Sequence, residues 1–177
     1  MGQYYRPVTK IDGKLTVYNR DVDGRYTLAK LTKHSWWEND MVNAVVKNLY
    51  RKKGRLAWVG DYSEEEETPV PMKYIWGDQS NAVGVLSTDF RLDGKYLVNY
   101  RQNLYVDLDE YKQKSQEKGW ILSPLPLLTA IGNGRGGGDY YGEACADKVG
   151  TWVWDLISIE DEAPEGFVKL DLEFKDE

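Results

Sequence analysis

Residues 132–138 read GNGRGGG and run directly into Asp139-Tyr140-Tyr141-Gly142. Each glycine adds unfolded-state entropy that folding must overcome, so such a run is kept where the backbone needs unusual conformations or is left loose. Gly132-Asn133-Gly134-Arg135-Gly136-Gly137 satisfies G-x-G-x-x-G, and an apolar stretch precedes it. In a dinucleotide fold those glycines let a pyrophosphate approach the N-terminus of the next helix. Here the following residues, DYYGEACADKVG, are interrupted by Gly142, and too little chain remains for such a domain. A looser anion nest survives that objection: successive N–H groups, with Arg135, would hold a phosphate or carboxylate. The preferred reading is a surface loop that orders on binding, with Gly132, Asn133, Gly134, Arg135, Gly136, Asp139, Tyr140 and Tyr141 as its contact residues.

Other chemistry is thinner. His34 and Glu38, in HSWWEND, would share one face of a helix and offer two metal ligands, but two ligands do not make a site. A structural histidine packed beside Trp36 and Trp37 is the favoured reading. Cys145 paired with His34 as a thiolate couple has no local signature. Asp61 in WVGDY and Asp155 in WVWDL each sit in an aromatic strand, where burial would raise a carboxyl pKa toward the range of a general acid. Acceptance of hydrogen bonds from neighbouring groups is the simpler account of both. No cofactor and no metal is expected.

The elements that must position these residues follow from periodicity and turn signals. Asp12-Gly13, Asp23-Gly24 and Asp93-Gly94 lie between stretches rich in Tyr, Val, Leu and Thr, a hairpin signal. They predict strands near 4–10, 14–19 and 25–31 in an N-terminal meander. DGKLTVYNR at 12–20 and DGKYLVNYR at 93–101 share five positions, which shared turn chemistry explains without a duplication. Val42, Val45, Val46 and Leu49 recur at helical spacing, so an amphipathic helix is predicted over about 39–53, capped by Asn39 or Asp40 and ended by Gly54. A strand follows at 55–62, then the acidic loop SEEEETPVP, read as a solvated connection. A turn of helix is expected at 72–76, strands at 95–101 and 103–107, and a second short helix at about 108–118 stopped by Gly119. Pro124 and Pro126 suggest interrupted strands near 120–123 and 127–131. Two alternating segments, 151–159 and 167–174, close the chain. The whole predicts a single α+β domain, mostly antiparallel sheet around one main helix.

Composition narrows the function classes. The chain of 177 residues is 41% hydrophobic and 13% aromatic, with seven Trp and thirteen Tyr, which suits one domain with a sizeable aromatic core. One cysteine rules out an intramolecular disulfide and a four-cysteine zinc site. No apolar window approaches the run of about 20 residues that a membrane span needs, and the cytoplasm is the expected compartment. The net charge is −6, and the last eighteen residues carry all of it, with eight acids against Lys169 and Lys175. With no basic stripe, direct nucleic-acid binding is not expected, whereas a basic protein partner is electrostatically favoured.

MGQYY at the start, HSWW before the helix, AWVGDY after it, GNGRGGGDYYG, and VGTWVWDLISIE near the end together resemble a family of small proteins of bacteria, phages and mobile elements. The resemblance carries no assigned activity. What it implies is context: such proteins often bind a host component, and they include inhibitors of CRISPR effector nucleases and other anti-phage systems. The expectation is a non-enzymatic binding protein that meets a host protein, such as a nucleic-acid-binding nuclease, through acidic and aromatic surface. The alternative is a small enzyme or sensor that binds a nucleotide or phosphorylated ligand at the Gly132–Gly142 loop.

Overall fold

A computed structural model describes residues 1–20, 23–77, 82–84, 90–116 and 120–175. The expected helix stop at Gly119 and the tail acids Asp176 and Glu177 lie outside the described residues. Strands β1 (Tyr5–Ile11) and β2 (Lys14–Arg20) form a hairpin in which Ile11 faces Lys14 across Asp12-Gly13. Both turn residues have positive φ, 52° and 76°, the type I′ geometry that matches strand twist. The other edge of β1 is covered along its full length by antiparallel β3 (Gly54–Gly60). The expected meander lacks its third strand. Residues 25–31 make only the isolated bridges Arg20↔Tyr26 and Tyr5↔Ala29, and the edge of β2 that such a strand would pair is taken in parallel by residues 82–84.

The second half supplies β5 (Tyr96–Asn99), β6 (Leu104–Asp107) and β8 (Leu156–Glu160), with β8 antiparallel to both β3 and β5. Short strands β4 (Ala82–Gly84), β7 (Ala130–Ile131) and β9 (Val168–Lys169) pair in parallel with β2, β3 and β6. The order is β4-β2-β1-β3-β8-β5-β6-β9, with β7 beside β3. The protein is thus one α+β domain built on a mostly antiparallel sheet. Among the described residues Asp93-Gly94 does not join two paired strands; its turn is held by the Asp109 carboxylate, which accepts from Gly94 N at 2.9 Å. The hairpin there is β5–β6, whose turn is closed by Asn99 Oδ1 accepting from Arg101 N and Gln102 N.

Helix α1 (Asp40–Asn48) is capped by Asn39, whose Oδ1 accepts from Met41 N at 2.9 Å. Its three valines are poor helix formers, so burial against the sheet holds it together. Val42, Val45, Val46 and Leu49 are all essentially inaccessible, each stabilising the fold by about 1.5–3 kcal/mol. The helix is shorter than its expected span to residue 53. Ile159 N donates to Leu49 O and Arg51 N donates to Ile159 O, so β8 captures the chain as it leaves the helix. The left-handed residue there is Arg51, at φ 55°, and Gly54 opens β3 instead of ending the helix.

Successive residues of β3 serve opposite faces. Leu56 and Trp58 join α1, Leu97, Trp152 and Phe174 in the larger core, while Ala57 and Val59 join Val8, Val17, Ile75 and Ile131 in a smaller one. The predicted turn of helix is α2 (Met72–Ile75), and the second predicted helix is α3 (Leu108–Ser115), capped by Asp107. The segment read as proline-interrupted strands contains a fully buried helix, α4 (Pro124–Leu128), ahead of β7. Its prolines occupy the first turn, where a missing N–H costs nothing. Two further corrections concern the close of the chain. Residues 151–154 form turns before β8 begins, and alternation in 167–174 survives only in its second half: Leu172 and Phe174 are buried, but Val168 is 65% exposed.

Candidate functional site

The glycine-rich loop begins directly after β7 and folds back over the N-terminus. Gly2 bridges Gly137, Gln3 N donates to Gly137 O at 3.1 Å, and Gly137 N donates to Met1 O at 2.9 Å. Inside this clasp the carboxylate of Asp139 is the point of convergence. Its Oδ2 accepts from the backbone N–H groups of Gly134, Arg135 and Gly136 at 2.7, 2.9 and 3.1 Å, and from Gln3 Nε2 at 2.8 Å. Its Oδ1 accepts from the Tyr5 hydroxyl at 3.0 Å. Burial, followed by this carboxylate, pushes the Tyr5 phenol well above its usual pKa, so it remains a donor. The successive N–H groups of the expected nest thus converge on the chain's own Asp139, while the Arg135 guanidinium, expected to join them, goes to Glu67 instead.

Glycine is required at two positions for different reasons. Gly134 has φ 93°, a backbone region closed to most side chains. At Gly136 a Cβ would lie 2.7 Å from both Gln3 Cβ and Gln3 N. Asn133 completes the loop reciprocally: its Nδ2 donates to Tyr140 O and its Oδ1 accepts from Tyr140 N.

The predicted contact residues divide by exposure. Tyr140 is buried, donates its hydroxyl to Ala144 O at 2.6 Å and packs edge-on against Phe174. Arg135 grips Glu67 through two nitrogens at 2.7 and 2.5 Å and also donates to Tyr62 O. The guanidinium lowers the Glu67 carboxyl below its ordinary range. Glu67 belongs to the acidic run read as a plain solvated loop, which here forms a 3₁₀ turn, Glu65–Glu67, with its own capping box. Tyr141 is different. The residue is 66% exposed, yet its hydroxyl is tied to Gly136 O at 2.7 Å.

The remaining candidates are dispersed. Residues 34–38 form a turn and a bridge, not a helix, so His34 and Glu38 do not share a helical face. His34 Nδ1 accepts from Lys30 N at 2.9 Å, burial lowers its pKa, and Glu38 pairs with Arg91. Trp37 is buried against Tyr111, while Trp36 stacks on the partly exposed Trp120 at 6.2 Å. Cys145 Sγ accepts from Glu173 N. Asp61 follows the C-terminal end of β3, whereas Asp155 lies alongside its first half, next to Leu156, which pairs with Arg55, about 17 Å away along the strand. Asp61 accepts from Tyr4 N, and the buried Asp155 accepts from Asn99 and Gln102. They do not form a carboxylate pair. Among the described residues no group of three or more His, Cys, Asp or Glu is placed to hold a metal, and no helix is long and apolar enough to cross a membrane.

Sequence reasoning missed Gln3 and Glu67. Gln3 is fully buried and spans the clasp, with Nε2 on Gly132 O and Asp139 and Oε1 accepting from Tyr62 N. A lone glutamine between Gly2 and Tyr4 gives no periodic or spacing signal. Comparison with known proteins yields no match: no family model, no curated protein and no solved structure matches this chain.

Proposed function

We propose that this is a non-enzymatic binding protein whose contact surface is the clasped glycine loop, with Tyr141 as its exposed anchor. One observation carries the reading. The loop backbone is tied down by Asp139 and Asn133, while Tyr141 stands 66% exposed on it with its hydroxyl fixed. A rigid tyrosine on a preorganised loop loses little conformational entropy on association, which favours a contact role. The acidic end contributes less than its charge suggests. Asp161 accepts from Tyr50, Lys95 and Arg51, Asp171 pairs with Lys114, and Glu173 pairs with Lys175. Aromatic contact thus leads and residual negative charge assists. The resemblance points to a host protein as the partner, and among host proteins to a nucleic-acid-binding nuclease of a defence system.

The test compares the wild type with Tyr141→Ala as baits in host cytosol, followed by titration of the purified retained protein. The expected result is a loss of about 1–2 kcal/mol or more in affinity at an unchanged melting temperature. Equal affinity in a well-folded Tyr141→Ala protein removes this surface from the interface.

A further inference from the structure

Where the β1–β2 hairpin meets the end of α1, an open cleft of about 400 Å³ is lined by polar groups, including Thr9, Thr16, Tyr18, Asn48, Lys14 and Lys52. Its size lies within the range of small-molecule sites. Thr9 and Tyr18 are buried beneath it, and their hydroxyl oxygens are 3.2 Å apart; Asn48 Nδ2 donates to the Tyr18 hydroxyl at 2.7 Å. These contacts leave a proton over. Asn48 supplies one bond and the two hydroxyls share the other, so one of the two hydroxyl protons has no acceptor among the described residues, and both residues line the cleft.

The charges at the rim point the same way. Neither Lys14 nor Lys52 has a side-chain ion pair or hydrogen bond among the described residues. Most lysines of the second half are paired: Lys95 with Asp161, Lys112 with Asp93, Lys114 and Lys169 with Glu110, and Lys175 with Glu173. The Asp12 carboxylate on the hairpin turn also lines the cleft. Two ammonium groups, a spare hydroxyl donor and carboxylate and amide acceptors together match a ligand with a dianionic end and several hydroxyls. We infer that this cleft binds a small sugar phosphate, its phosphate between Lys14 and Lys52 and its hydroxyls on Asp12, Asn48 and the Thr9–Tyr18 pair.

The experiment is an amide-shift titration of isotope-labelled protein with ribose-5-phosphate, with ribose and inorganic phosphate as separate arms. Saturable shifts are expected at Thr9, Thr16, Asn48 and Lys52, with ribose-5-phosphate at least roughly tenfold tighter than either arm. Replacing both lysines, Lys14→Ala with Lys52→Ala, should weaken it roughly tenfold or more, and Thr9→Val should weaken it in a protein of unchanged fold. The double variant Lys14→Gln with Lys52→Gln repeats the test with longer side chains retained. Absence of saturation, equal binding of inorganic phosphate, or undiminished binding in both lysine double variants overturns the assignment. Tighter binding of a single-stranded oligonucleotide at the same amides also overturns it, because the ligand is then a nucleic acid.

Discussion

The glycine loop and the hairpin cleft are opposites in how their polar groups are used. In the loop, three successive N–H groups, a glutamine and a tyrosine all end on one carboxylate. Arg135, the loop's one cation, is held by Glu67. In the cleft, two lysines and one of two hydroxyl protons have no side-chain partner among the described residues. The loop is conspicuous in sequence because its backbone conformation is demanding, and that demand is met internally. The cleft is inconspicuous because its residues are common ones brought together from a hairpin and a helix end. Chemical availability depends on which groups lack a partner, not on how unusual the local sequence is.

Mutations break this contrast in graded fashion. Asp139→Ala should have the largest effect, about 3–5 kcal/mol of stability, because it strands several buried donors at once. Urea denaturation measures it, and a cost below about 1 kcal/mol would make the loop as lightly held as the cleft. Gly136→Ala should follow at about 1–3 kcal/mol, since the added Cβ meets the backbone and Cβ of Gln3 and forces the clasp apart. Loss of amide-exchange protection at Gly137 would accompany it.

Arg135→Ala should cost less, within the roughly 0–1 kcal/mol typical of partly exposed pairs. Its sharper signature is in pH. Glu67, Glu110 and Asp161 are held below their ordinary range chiefly by hydrogen bonds from Arg135, Lys169 and Tyr50 respectively. For such groups the unfolded chain binds more protons in acid. The stability they contribute is present above a pH of about 4 and lost as pH falls through the folded values. Arg135→Ala returns Glu67 toward its ordinary range and should flatten that part of the acid-side loss, read from denaturation midpoints across an acid series. The smallest stability effect belongs to Lys14→Ala with Lys52→Ala, expected within about 0.5 kcal/mol of the wild type. A larger drop in melting temperature would show that these lysines have structural partners, and the contrast with the loop would fail.

Some of this architecture was legible because it is decided locally. Asp12-Gly13 encodes its own turn, Asn39 caps α1 through its own side chain, and the spacing of Val42, Val45, Val46 and Leu49 marks one helical face. The loop's need for glycine was visible for the same reason, as was a capacity to hold an anion. What fills that nest was not. Asp139 lies a few residues away, but Gln3 and Tyr5 come from the far end of the chain, and no local pattern records such a meeting.

Tertiary competition also decided the misplaced elements. Residues 82–84 took the edge of β2 that a third meander strand at 25–31 would have used, and β8 drew the chain out of α1 at Leu49. Pro124 and Pro126 start a buried helix because only its first turn tolerates them there. By itself the sequence determined the α+β class, the first hairpin and the face of the main helix, since neighbouring residues specify these through turn geometry and periodicity. The tertiary structure alone decided which donors Asp139 satisfies, which acids the lysines neutralise and which cations stay unpaired, because those outcomes depend on long-range competition for a limited set of partners.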